Sequence, residues 1–384
     1  MPGRVAIIGG GPAGALAAER LARAGRAVTI FEERPGWEKP CGGGVTDKAL
    51  QAYPFLREGA GERQWVRECE IIGRDGRRAR LRLTCALAVF SRQTLNGLVL
   101  DRARRAGAEI AAERVTGLER VNAPGRRWRL RLRGGAEAAA DFVLLAAGAR
   151  NSFRMPFGLD NGAGDSMTAL GYYVPGGGER IQIQFLPGLA GYLWAFPRPG
   201  HYAAGICGRI QGQPAAALRP ALEAFLDREG YGWAGSQFYA HVLPAPRAET
   251  LRKRRFSGAD WAVVGDAAGL VDPITGEGLY YALRSAELFA AAYLRGQPEA
   301  LGPALRADFL PDLELAAEIA GRFYQGRFLG RGVIERMIQF TARSARFQVL
   351  MGDLFAGSQG YIGLRRRLYR QLGATLWEAA WARN

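Results

Sequence analysis

Val5-Ala6-Ile7-Ile8-Gly9-Gly10-Gly11-Pro12-Ala13-Gly14 reads as a short buried strand running directly into a glycine-rich turn. In the spacing Gly9-x-Gly11-x-x-Gly14, the first glycine allows the tight turn. The second lets backbone approach a pyrophosphate, and the third lets the following helix pack closely on the strand. A helix is expected from about Pro12 to Ala24, stopped by Gly25, with its free N–H groups and dipole pointing at an anion. A second strand, Ala27 to Phe31, ends in Glu32, an acid placed to accept hydrogen bonds from ribose hydroxyls. Glu32 disfavours a 2′-phosphate, so the resident nucleotide is not expected to be NADP. The competing reading is a strand–turn–helix whose glycines serve packing alone. The strand before, the helix after and the acid in register favour nucleotide binding over it.

More than 250 residues later, Ala262-Val263-Val264-Gly265-Asp266-Ala267-Ala268-Gly269 repeats the strand-then-turn pattern. Asp266 is expected to bond a polyol hydroxyl, since a carboxylate accepts such bonds well. Pro273-Ile274-Thr275-Gly276-Glu277-Gly278-Leu279 is expected to open a helix running through Leu294, its N–H groups facing an anion or carbonyl. Asp141 to Gly148 reads as a further buried strand, ending in small residues that let backbone lie near a ligand or the first turn. The chain begins a nucleotide-binding fold, leaves it and returns.

Of the 384 residues, 48% are apolar, enough to bury a large core. No run of 18 apolar residues occurs, and the chain goes straight into a strand without a signal-peptide pattern, so a cytoplasmic protein is expected, with peripheral contact at the inner face of the membrane open to it. Cys41, Cys69, Cys85 and Cys207 have neither metal-type spacing nor disulfide density, and two histidines make a metal site unexpected. The net charge of +16 is carried almost wholly by arginine. With no recognised nucleic-acid motif, it is not expected to mark a nucleic-acid binder. From Ala320 onward eleven arginines face three acids, including Arg365-Arg366-Arg367 and Arg370 among leucines and Tyr369. That region suits either an anionic membrane surface or a solvated helix face.

Four segments are expected. Residues 1–152 hold the first part of a nucleotide-binding domain, with a helix from Ser91 to about Ala106 and a β-meander over 113–142 turning at Asn122–Gly125 and Gly134-Gly135. Residues 153–257, rich in aromatics and short strand-like runs, read as an antiparallel-sheet domain interrupted by a helix over about Ala215–Glu229. Residues 258–296 return to the first domain. Residues 297–384 are mostly helical, with an apolar stripe of Phe347, Leu350, Met351, Leu354 and Phe355.

The two glycine segments together resemble the flavoprotein hydroxylase and reductase superfamily that shares the glutathione-reductase-type FAD fold. The resemblance implies an α/β chain: a Rossmann-type FAD-binding domain, an antiparallel substrate domain and a helical C-terminal region. It implies that Gly9, Gly11, Pro12, Ala13, Gly14, Glu32, Glu33, Arg34, Gly44, Val45, Ala147 and Gly148 contact FAD. Gly265 and Asp266 would meet the ribityl chain and pyrophosphate, Arg92 of Ser91-Arg92-Gln93 the pyrophosphate, and Pro273, Gly276, Gly278 and Leu279 the flavin ring.

Two further stretches, Lys39-Pro40-Cys41-Gly42-Gly43-Gly44-Val45 and Tyr192-Leu193-Trp194-Ala195-Phe196-Pro197, resemble the geranylgeranyl reductases, which reduce isoprenoid double bonds. There the cysteine–glycine loop lies near the flavin and the aromatic segment lines the lipid cavity. Cys41, Gly42, Gly43, Tyr192, Trp194, Phe196 and Pro197 are thereby implied at the substrate, with Cys41 and Tyr192 as catalytic groups. The chain departs from that pattern at Leu189, where the family carries proline. On a strand, Tyr192, Trp194 and Phe196 share one face, which makes either an apolar wall for an isoprenoid or an ordinary sheet core. Cys41, beside glycines and near Lys39 in sequence, is either a reactive thiol or a small filler. Only one dinucleotide fingerprint is present, so NAD(P)H or another external electron donor is expected to dock transiently. The competing activity on the same fold is flavin-dependent monooxygenation of an aromatic or polyketide-like substrate.

Overall fold

The computed structural model describes residues 3–123, 126–150, 152–153, 157–159, 164–210 and 215–381. The chain divides into two compact units. The first holds residues 1–39, 92–165 and 244–313, and the second residues 40–91, 166–243 and 314–384. Residues 40–91, read from the sequence with the first segment, thus group with the aromatic-rich middle of the chain.

In the first unit a six-stranded sheet runs Ser257–Gly258, Trp261–Val263, Phe142–Leu145, Val5–Ile8, Val28–Phe31, Glu109–Ala111. Val5–Ile8 pairs in parallel with Val28–Phe31 on one side and Phe142–Leu145 on the other. These strands are continuous apolar runs because both faces of a parallel sheet are covered, and Val5, Ile7, Ile30, Val143, Leu144 and Val263 are fully buried. The helix Pro12–Arg23 follows the first strand and the helix Leu279–Leu294 returns after the last. The meander is present as Val115–Ala123, Arg126–Leu132 and Glu137–Ala140. Gly135 turns with φ +85°, while Pro124 and Gly125 of the other expected turn lie outside the described residues.

The second unit is built on an eight-stranded sheet. Its centre is the antiparallel run Ser166–Pro175, His201–Gly208, Gly191–Arg198, Arg180–Phe185. Arg180–Phe185 then pairs in parallel with Gln64–Ile72, which forms a long antiparallel ladder with Arg78–Val89. Leu193 and Ala195 point to one face of the sheet, into a core with Leu170, Val174, Ile206 and the helix residues Leu222, Phe225 and Leu226. Period-two alternation sends Tyr192, Trp194 and Phe196 to the opposite face. The C-terminal helices include Val333–Arg343, Ala345–Ala356 and Tyr361–Trp381. Phe347, Leu350 and Met351 are buried, as an apolar stripe requires.

Before these helices comes a small hairpin not foreseen from the sequence. Arg327–Phe328 pairs with Arg331–Gly332 across a turn of Leu329 and Gly330, whose φ angles are +48° and +78°. Leu329 is the only non-glycine with positive φ among the described residues, a conformation that costs an L-residue about 1–2 kcal/mol. No described helix is long and apolar enough to cross a membrane.

The closest constraint in the first unit is at Gly14, where a β-carbon would lie 2.0 Å from the Gly9 carbonyl oxygen. Gly14→Ala is therefore expected to push the helix off the strand and destabilise the fold by about 1–3 kcal/mol, the usual scale for overpacking. A chemical-denaturation midpoint equal to wild type would refute the contact.

Candidate functional site

The first unit gathers the nucleotide-type residues around the end of Val5–Ile8. Gly9, with φ +105°, lies against Ala146 and Ala147, where a β-carbon would come within 2.4 Å of the Ala146 carbonyl oxygen. Gly9 and Gly14 are thus demanded by the protein itself. Gly11 is different. Its φ of −67° suits any residue, and a β-carbon there would meet no protein atom within 4 Å. Neither packing nor conformation calls for glycine at position 11, so the space above it is room for something else. The helix that starts there has Pro12 in its first turn, no side-chain cap and no acid in that turn. Its N–H groups and dipole are therefore available to an anion.

Glu32 is fixed rather than mobile. Its two carboxylate oxygens accept from Gly10 N–H at 2.8 Å and Arg34 N–H at 3.0 Å, and each oxygen keeps capacity for a ribose hydroxyl. Arg34 lays its guanidinium 4.0 Å over the Trp37 ring. Glu33 is engaged elsewhere, by Arg114 and Arg133. Arg92 is 4% exposed. It donates from Nη2 to Asn96 Oδ1 at 3.1 Å, while its Nε is buried with no partner. Such an orphaned donor is costly unless a ligand satisfies it, and a phosphate oxygen is one of the acceptors a guanidinium binds strongly. Glu38 caps this helix from 54 residues upstream, accepting from Arg92 N–H and Gln93 N–H at 2.9 Å each.

On the return, Gly265 has φ +60° and sits against Ala13, with its N–H donated to Ser285 Oγ at 3.0 Å. Asp266 forms an ion pair of 2.8 Å with Lys39. Sequence proximity linked Lys39 to Cys41, and the structure gives its ammonium to Asp266 instead. Gly148 is also near: a β-carbon there would lie 3.7 Å from Lys39 Nζ. Pro273 to Gly278 is a turn, with the helix starting only at Leu279. Asp272 holds it, accepting from Ile274 N–H at 2.8 Å, Thr275 N–H at 3.2 Å and Thr275 Oγ1 at 2.8 Å. Gly276 turns it with φ +73°. Gly278 gives room to Asp266 Oδ1, which would be 3.1 Å from a β-carbon.

The second unit brings together the two remaining sequence motifs. Gly43 has φ +87°, and a β-carbon there would strike the Phe90 carbonyl oxygen at 2.1 Å. Gly44 and Val45 pair with Val89 and Ala88 at the sheet edge. Phe196 lies against the loop, its ring 3.2 Å and 2.9 Å from where β-carbons on Gly42 and Gly44 would sit. The next strand residues are Pro197, opposite Tyr202, and Arg198, which sequence reasoning missed. Arg198 is 1% exposed. It donates to the Cys41 and Gly42 carbonyl oxygens, the latter at 3.2 Å, and stands 5.6 Å from the Tyr173 ring centroid. Turning these carbonyls inward fixes the Cys41 loop; Cys41 Sγ accepts from Gly43 N–H at 3.3 Å. Burial pushes the nearby Tyr239 phenol up, opposed in part by the Arg198 charge.

Along the strand, Tyr192 and Trp194 meet edge-on with centroids 5.9 Å apart, and Phe185 continues the row to Tyr192 and to Phe323. Trp194 lies across Gly205, where a β-carbon would be 2.4 Å from its ring. Tyr192 and Trp194 are buried, and Phe196 is half-buried.

A returning glycine–aspartate turn, a fixed acid at the second strand and an orphaned buried guanidinium offer donors and acceptors of the kind a dinucleotide requires. With this fold they define an FAD-dependent oxidoreductase. Residues 3–170 match the pyridine nucleotide-disulphide oxidoreductase family. The chain is similar to a geranylgeranyl diphosphate reductase from Synechocystis sp., at 28% identity over 75% of this chain and 74% of that protein. It is also similar to digeranylgeranylglycerophospholipid reductase 2 from Methanothermobacter thermautotrophicus, at 28% identity over 74% of this chain and 76% of that protein. A geranylgeranyl bacteriochlorophyll reductase-like protein from Thermoplasma acidophilum shares the fold, with a TM-score of 0.73 at 20% identity, covering 96% of this chain and 99% of that one. The resemblance carried by the Cys41 and Tyr192 segments thus extends along three quarters of the chain.

Two expectations follow. Gly11→Ala should fold with an unaltered melting temperature yet retain FAD at least ~10-fold less tightly, about the effect of losing one charge-assisted contact; flavin titration by fluorescence quenching reads this, and unchanged affinity would refute the cradle. Burial pushes the Cys69 and Cys207 thiols up to about 12, so at pH 8 their thiolate is scarce. Iodoacetamide should then label the half-buried Cys41 and Cys85 in the native protein and reach Cys69 and Cys207 only after unfolding. Peptide mass mapping checks the order.

Proposed function

We propose that this protein saturates carbon–carbon double bonds of an isoprenoid or prenyl lipid. The observation that carries the reading is the seating of Phe196 on the Cys41–Gly44 loop, with Arg198 pinning that loop from the same strand. This couples the aromatic strand face to the one cysteine–glycine loop of the chain, in a protein similar over most of its length to reductases named for geranylgeranyl substrates.

Gly11, Glu32, Arg92, Gly265 and Asp266 would hold FAD, the Glu32 and Asp266 carboxylates accepting from hydroxyls and Arg92 donating to the pyrophosphate. When bound, FAD supplies two electrons as a hydride equivalent, replenished by NAD(P)H or another external donor. Tyr192, Trp194 and Phe196 give the hydrocarbon an apolar wall and keep water from the reacting carbons. One proton completes each saturated bond, and the Cys41 thiol or the Tyr192 phenol holds it. The basic C-terminal region keeps the protein at an anionic membrane surface, where a prenyl lipid resides.

Anaerobic incubation of dithionite-reduced protein with geranylgeranyl diphosphate tests the reading by mass: each reduced bond adds two hydrogens, with matching return of the oxidised flavin spectrum. Trp194→Ala should lower kcat/KM for long isoprenoids about tenfold, near the cost of one lost hydrophobic anchor, while FAD stays bound. Stable reduced flavin with unchanged lipid, followed by oxygen consumption and a hydroxylated product, would overturn the proposal.

A further inference from the structure

The hairpin Arg327–Gly332 carries none of the residues assigned above to FAD or to the aromatic strand face. Five of its six residues, Arg327, Phe328, Leu329, Gly330 and Arg331, are exposed, Phe328 by 39% and Leu329 by 55%. The two-residue turn puts both Leu329 and Gly330 at positive φ, the geometry in which Asn-Gly is the favoured pair. A leucine here bears backbone strain and leaves its side chain in water. The conformation is nonetheless held in place: Arg336 donates to the Phe328 and Leu329 carbonyl oxygens, and Arg327 donates to the Gly330 carbonyl oxygen at 2.8 Å. The three carbonyl oxygens at the tip are thereby satisfied, which lowers the cost of moving them out of water.

We infer that the Phe328–Leu329 tip inserts into the interfacial layer of an anionic lipid bilayer, with Arg327 and Arg331 on its headgroups. The inference rests on the peripheral-contact reading above and assigns it to specific residues. A bilayer fits better than a protein partner because the apolar tip is two residues wide and flanked by cations on both sides, whereas stable protein interfaces engage about 20–30 residues a side. The same unit also exposes Tyr369 by 77% and Trp377 by 65% on the helix that carries Arg365, Arg366 and Arg370. Aromatic and arginine side chains of this kind anchor proteins at the membrane–water boundary.

The test is flotation of the full-length FAD-bound protein with phosphatidylcholine vesicles, with and without phosphatidylglycerol, using Leu329→Asn and Phe328→Ser. Asparagine tolerates the left-handed conformation, so Leu329→Asn should raise the melting temperature while weakening binding to anionic vesicles roughly tenfold, the scale of one buried apolar side chain. Its turnover of detergent-dispersed substrate should equal wild type. Wild-type protein should bind pure phosphatidylcholine weakly and lose anionic vesicles as salt rises. If wild type floats and both variants float equally well, the hairpin assignment is overturned and the peripheral contact stands. If wild type floats on no vesicle, both fall. Wild-type self-association abolished by Leu329→Asn, without vesicle binding, would make the tip a protein contact and overturn the inference.

Discussion

The Gly9 carbonyl oxygen and the α-carbon of Gly14 share a space that admits no side chain. That contact seats the first helix on the end of the first strand, and much of the first unit depends on it. Helix and strand so placed aim uncapped N–H groups at one point beyond the sheet edge. The second strand brings Glu32 there, where the Gly10 N–H takes hold of its carboxylate. The strand Phe142–Leu145 enters on the other side of Val5–Ile8 in parallel register, and the chain after Val263 must then turn at Gly265 against Ala13. One close approach between backbone atoms thus sets where polar groups from three distant segments are placed.

Three glycines in the same turn show how packing and ligand demands separate. Gly9 and Gly14 are required by protein atoms, whereas Gly11 is required by none. A sequence pattern cannot make that distinction, because all three glycines look alike in it. The structure makes it through the neighbours a side chain would meet. Arg92 carries the same lesson from the donor side. Its Nη2 has a protein partner and its Nε does not, which leaves one buried donor that a ligand acceptor could fill.

The strand–turn–helix, the returning Gly265-Asp266 turn and the alternation at Tyr192, Trp194 and Phe196 were legible in the sequence because each is local: a strand period, a helix period or a glycine at a turn. The groups that fix these motifs were not legible. Arg198 reaches Cys41 across 157 residues, Glu38 caps a helix 54 residues downstream, and Lys39 pairs with Asp266 across 227. None of these partners is implied by spacing. Lys39 shows the hazard most clearly, since nearness in sequence joined it to Cys41 while the fold gave it to a carboxylate. The turn at Asp272 was read as helix for a related reason. Its glycines and proline resemble a helix entry, but the Asp272 side chain takes the N–H groups of Ile274 and Thr275 and holds the segment in a turn.

The arginine excess also reads differently once its contacts are known. Arg63 binds the carbonyls of Leu56 and Arg57, Arg254 that of Ala268, Arg306 that of Arg252, and Arg198 and Arg336 two loop carbonyls each. A guanidinium offers five donors in a rigid fork and no acceptor, which suits it to irregular backbone whose carbonyls no ladder satisfies. In a chain that presents several glycine-rich loops at fixed positions, several of its arginines are committed to loop geometry. The basicity that remains for a partner is then a matter of which arginines face outward beside apolar groups. Arg331 qualifies by position, displayed beside a turn whose carbonyls are already held from within, and Arg327 flanks the turn on the other strand while also donating to Gly330.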